Sequence, residues 1–179
     1  METCPPGVVL PVVTANFCSP VTNFGQIKKI HLGNLGNPFT DVTDAAEWTT
    51  RRDNATTTGT DYIRTLYGIG SKAAPESTEV EFSLGRKLNT SNEHSFTFRI
   101  DEMSDENYAL MKFLEDNPGI QISVWWEVQK FLYGDNDGVT CTMRMVEITP
   151  EDKNALQYFE LTINFEGGSP ARNANPMAA

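Results

Sequence analysis

The chain has 179 residues, 39% hydrophobic and 21% charged, which fits one globular domain with length to spare for loops or arms. Fourteen Lys and Arg stand against 24 Asp and Glu, a formal net charge of -10. That balance argues against general affinity for nucleic-acid backbone or for an anionic membrane surface, both of which need clustered cations.

The first 24 residues open METCPPGVVLPVV, a short apolar run broken by proline with no basic start. They make a poor signal peptide and read as an N-terminal arm. No stretch has the roughly 18 apolar residues of a membrane span. Synthesis in the cytoplasm is the default, so the sequons at Asn54 and Asn89 carry no weight. The domain proper reads as 25–167. GQIKKIHLGNL is a strand with Ile30 and Leu32 on one face. Residues 36–78, rich in Thr, Gly and Asp, carry no strong pattern and read as a long protruding loop, in which WTTRRD and DYIRTLY form a second hairpin.

Beyond this loop the chain alternates with period 2. Val80, Phe82 and Leu84 share a face, residues 85–93 turn, and Phe96, Phe98 and Ile100 return. Ser104 caps a helix over 104–117, with Asp105 and Glu106 in its first turn and Tyr108, Met111 and Leu114 as its buried stripe, widened by Leu110 and Phe113. Asn117-Pro118-Gly119 ends it. In IQISVWWEVQKFLY, Ile122, Val124, Trp126, Val128 and Leu132 oppose Ser123, Trp125, Glu127 and Gln129. Gly134–Gly138 is a hairpin turn, and VTCTMRMVEI and LQYFELTINF are two further one-sided strands. Residues 168–179 read as a flexible C-terminal tail. The fold class is therefore mainly β: an antiparallel β-sandwich or barrel with one flanking helix, a long protruding loop and extended terminal arms.

Groups able to carry chemistry are few. Cys4, Cys18 and Cys141 have no metal-ligand spacing, and His31 and His94 read as a strand residue and an exposed turn residue. Asp135, Asn136, Asp137 and Gly138 miss the register of a calcium loop. No nucleophile elbow, zinc-protease helix or phosphate loop is present. The expectation is no catalytic residue, no cofactor and no metal. Aromatics outside a core are a better signal. Neighbouring strand residues point to opposite faces, so Trp126 belongs to the core and Trp125 needs another partner. Trp125, Trp48, Tyr62 and Tyr67, with Arg51 and Arg52, are the candidate subunit interface.

The order of strands, mid-chain helix, long loop and arms looks like the tail-tube fold of tailed bacteriophages. GQIKKIHLGNLGNPFTDVTDAAEWTTRRD and TLYGIGSKAAPESTEVEFSLGRKLNTSNEHSFTFRID, leading into MSDENYALMKFLEDN, resemble small virion proteins of Bacteroidetes phages. The resemblance covers roughly residues 25–167. It implies a homo-oligomeric ring, commonly of six copies or more, in which neighbouring sheets join into an inner barrel. It also implies other virion proteins as partners and an acidic lumen through which DNA passes without sequence-specific binding. The chain would be made in the host cytoplasm and located in the virion, without a membrane. A capsid decoration or head-fibre protein on the same scaffold is an alternative. So is a carbohydrate-binding β-sandwich with Trp125 and Trp48 as stacking platforms.

Overall fold

A computed structural model of the protein describes residues 25–52, 59–82 and 85–178. The N-terminal arm with Cys4 and Cys18, and the Asn54 sequon, lie outside the described residues. In chain order the elements are β1 (Ile27–Asn34), α1 (Ala45–Arg51), β2 (Ile63–Lys72), β3 (Glu76–Phe82), β4 (Arg86–Ile100), α2 (Asp105–Asp116), β5 (Gln121–Val128), β6 (Phe131–Tyr133), β7 (Val139–Ile148), β8 (Tyr158–Glu166) and β9 (Arg172–Ala174).

Six of the strands close into an antiparallel barrel in the order β1-β2-β4-β8-β7-β5, with β5 returning to β1. β1 is paired on both sides, Ile30 lying opposite Leu66 of β2 and opposite Trp126 of β5. Closure removes the unpaired edges that an open sheet would leave. Alternation then sends one side chain of each pair inward. Ile30, Phe96, Phe98, Trp126, Met145, Leu161 and Ile163 fill the interior, all at most 2% exposed. Met111 and Leu114 of α2 join this core, where the helix packs beside β7. α2 is capped as the sequence predicts, by Ser104 accepting from the Asn107 amide at 3.3 Å. Its stripe is narrower than expected, since Tyr108 and Phe113 stand 44% and 46% exposed.

Four expectations are corrected here. The described residues of the 36–78 stretch do not form a protruding loop. Its WTTRRD part lies mostly in α1, and its DYIRTLY part enters β2, a barrel strand bonded to β1 and β4. The element that does project is the β3–β4 ribbon, in which Phe82 already pairs with Arg86 and the paired strand β4 runs through the 85–93 stretch expected to turn. β4 is 15 residues long: its second half pairs with β8 in the barrel, while its first half pairs with β3 alone. The strand carrying Leu132 is broken after Val128, where Gln129 takes a φ of 50°, so β6 turns back along β5 and Leu132 leaves the barrel core. The C-terminal residues are an ordered strap: β9 adds to β6, and the Gly134 amide donates to the Ala171 carbonyl at 2.9 Å.

Candidate functional site

Outside the barrel wall lies a second apolar cluster, and it is where Trp125 goes. Phe39, Val42, Trp48, Ile63, Trp125 and Leu132 are buried together there, with Met177 against them. The 36–52 segment forms the lid. Asp44 caps α1 by accepting from the Ala46 amide at 2.8 Å, and Glu47 receives the amides of Thr40 and Asp41 at 3.0 Å. The lid is tied to the 134–138 turn. The Phe39 amide donates to the Asn136 carbonyl at 2.7 Å, and the Val42 amide to Asn136 Oδ1 at 2.9 Å.

Trp125 donates its indole N–H to the Asp135 carbonyl at 2.7 Å, and Trp48 donates to the Val42 carbonyl at 2.8 Å. The two indoles meet edge to face at 6.0 Å, with Phe39 stacked on Trp48 at 4.3 Å. Gly134 and Gly138 wall the Trp125 ring at φ of +121° and +75°, and a Cβ on either would come within 2.5 or 2.7 Å of it. The hairpin turn legible in the sequence is thus also one side of the Trp125 box.

This geometry corrects the candidate interface. Trp125 and Trp48 are fully enclosed within the chain and offer no face to a neighbour or to a sugar. Arg51, 7% exposed, staples the lid from inside: it donates to the carbonyls of Asn37, Pro38 and Asp61 at 2.6–2.9 Å and lies over the Phe39 ring at 4.1 Å. Arg52 is half-buried and reaches Met177 Sδ at 3.1 Å. Tyr62 is half-buried beneath the Arg64 guanidinium. Only Tyr67 among the six is exposed, at 58%.

Beside the second cluster is a buried polar group that the sequence pattern did not reveal. His31 is fully enclosed, with Nε2 2.8 Å from Glu127 Oε1 and Nδ1 2.9 Å from Thr65 Oγ1. An ionised carboxylate only accepts, so Nε2 carries the hydrogen and Nδ1 accepts from the Thr65 hydroxyl. Glu127 Oε2 takes Lys29 Nζ at 3.3 Å and Asn175 Nδ2 at 3.0 Å. Burial pushes the His31 pKa below 6.5, although Glu127 pulls the other way. Burial raises Glu127, but bonds from His31 and Asn175 and the Lys29 charge outweigh it and hold the carboxyl at about 2.

His94, expected at an exposed turn, is 3% exposed and stacks on Phe165 at 4.4 Å. β4 is already a strand at that point, and its inward positions include 94. Burial pushes the Cys141 thiol up to about 12, which leaves it an inert core thiol. Among the described residues no three of His, Cys, Asp and Glu converge as metal ligands, and no helix is long and apolar enough to cross a membrane.

Two exposed surfaces stand out among the described residues. The first is the β3–β4 ribbon. Val80 and Leu88 lie opposite each other on one face, 42% and 54% exposed, while Glu79, Glu81 and Lys87 occupy the other. The second is a groove of about 740 Å³ where α2 meets the ends of β1, β2 and β5, floored by Leu32, Leu66, Leu110, Phe113, Ile120 and Ile122. A comparison of the chain with protein-family models, with curated proteins and with solved structures finds no match.

Proposed function

We propose that the chain is a non-enzymatic structural subunit that self-assembles, and that its place is a virion, in rings of a tail tube or head–tail connector. The observation that carries this reading is the amphipathic ribbon. A two-stranded ribbon is marginal in water unless its apolar face is packed. Here seven residues of β3, about 20 Å of strand, run past the closed barrel with Val80 and Leu88 on one side. A barrel that has closed its own edges and still extends such a ribbon has built a surface for another molecule.

The charge supports the rest of the reading. A formal net charge of -10, with Glu79, Glu81 and Glu160 on outward strand positions, suits a channel past which DNA slides without adhering. The site chemistry is consistent with it: His31, the imidazole bonded to Glu127 and Thr65, is sealed from solvent.

Size-exclusion chromatography with light scattering over a hundredfold range of concentration, followed by negative-stain imaging, tests the proposal. Rings or short tubes are the expected result. A monodisperse monomer throughout would refute it.

A further inference from the structure

We propose that one end of the barrel is a binding site for a small apolar carboxylate, with Lys72 as its counter-ion. At the end where β1 begins and β2 and β5 finish lies a cavity of about 350 Å³, lined by Ile27, Lys72, Trp126, Tyr133, Ser169 and Pro170 among others. Barrel mouths are a recurrent place for small-molecule pockets, and the volume falls in their range.

Two independent observations point to an acidic ligand. Lys72 is the last residue of β2 and pairs with Phe96, so it shares the inward face of the wall. Its Nζ lies 5.8 Å from the centre of the Phe165 ring, and it has no ion pair or hydrogen bond among the described residues. Burial lowers its pKa, and no neighbouring carboxylate offsets the cost. No Asp or Glu lines the cavity, whereas three others, of about 230 to 740 Å³, each carry at least one glutamate. In a chain of net charge -10, a cationic cavity without an acid is the exception, and it selects an anion.

The second observation is the Trp126 N–H. Trp126 is 2% exposed, yet its indole has no acceptor among the described residues, while Trp48 and Trp125 donate to carbonyls at 2.8 and 2.7 Å. Among those residues His94 Nδ1 is the one sealed side-chain nitrogen or oxygen without a partner. The Trp126 N–H therefore reaches open space, and the space that Trp126 lines is this cavity. An ammonium and an indole N–H only donate, so the ligand must accept. A carboxylate does so with charge-assisted bonds, while an apolar body rests on Ile27, Pro170 and the Tyr133 ring, which stacks on Trp126 at 5.7 Å.

Isothermal titration calorimetry of the full chain with phenylacetate tests the site. One phenylacetate per chain should bind with a Kd of about 1 mM or below, and phenylacetamide at least about tenfold more weakly. Inorganic phosphate, which lacks the apolar body, should give no heat of binding. Lys72→Met keeps an unbranched stem and removes the charge. It should melt at or above wild type, lose at least about tenfold in phenylacetate affinity and bind the amide unchanged. Photolabelling of wild type with a diazirine-bearing benzoate should mark residues 126–133 or 169–170, and excess phenylacetate should suppress the mark; this decides the site even if Lys72→Met does not fold. Silence of wild type to phenylacetate, equal binding of acid and amide, phosphate binding as tightly, wild-type affinity in Lys72→Met, or a label confined to other residues would each overturn the proposal. Residues 1–24 lead into Gly25, which lines the cavity, and are the competing occupant. Crosslinking of photo-leucine at position 10 to Trp126 or Tyr133 would give the cavity to the chain's own start and overturn the proposal as well.

Discussion

Replacing Trp125 by Ala is the most informative single perturbation of this fold. Read from strand alternation alone, Trp125 is a surface residue whose loss leaves the subunit folded. The structure gives the opposite expectation, because the ring is fully enclosed among Phe39, Trp48, Ile63 and Leu132. Truncating a buried Trp to Ala costs about 3–5 kcal/mol. The Asp135 carbonyl also loses its donor at 2.7 Å, worth about 1 kcal/mol. The lid is a single short segment that can settle toward Ile63 and Leu132, so the site has scope to collapse and the lower half of the range applies. About 4 kcal/mol in total, at about 2–4 °C per kcal/mol for a domain of this size, gives a fall of about 8–16 °C in melting temperature. Trp126→Ala, in the barrel core, should fall by a similar amount. Differential scanning calorimetry on the isolated subunit is the assay. If Trp125→Ala melts within 2 °C of wild type while Trp126→Ala drops, the second cluster is not part of the cooperative unit and the reasoning fails.

The folded Glu127 carboxyl is held at about 2, below its ordinary 4.5, so it contributes stability that is present above pH 4.5 and is lost as pH falls toward 2. His31 acts in the same direction: its folded pKa lies below 6.5, so the unfolded chain takes up the proton first and stability falls below that pH. The stability difference between wild type and Glu127→Gln, from urea melts, should therefore shrink from pH 7 to pH 3; a constant difference would refute the assignment. Asn175→Ala removes the bonds to Glu127 and to the Gln129 carbonyl at 3.0 and 3.2 Å, and should cost about 1–3 kcal/mol. Hydrogen exchange should rise across β6 and β9, and unchanged protection there would show that the strap is held by its strand pairing alone.

The sequence by itself determined five of the six barrel strands, β1, β4, β5, β7 and β8, and the long helix. Period 2 over Phe96–Ile100, Ile122–Trp126, Met143–Met145 and Phe159–Phe165 is a local property of a half-buried sheet, and each of these inward positions is where alternation puts it. The Ser104 cap and the Gly138 turn are likewise local. Alternation says which residues share a face, but it does not say what covers that face. For Trp125, Glu127 and His31 the cover comes from other segments: Trp48 in α1, Leu132 in β6, and Asn175 and Met177 in the C-terminal strap. Each of those segments is short and irregular, with no period of its own to read. Only closure of the barrel, which sets β1 between β2 and β5, brings His31 opposite both Thr65 and Trp125 and gives the lid something to close on. The same closure decides that the ribbon, and not the 36–78 stretch, is what projects. β4 is longer than the barrel wall it joins, and its surplus has only β3 for a partner.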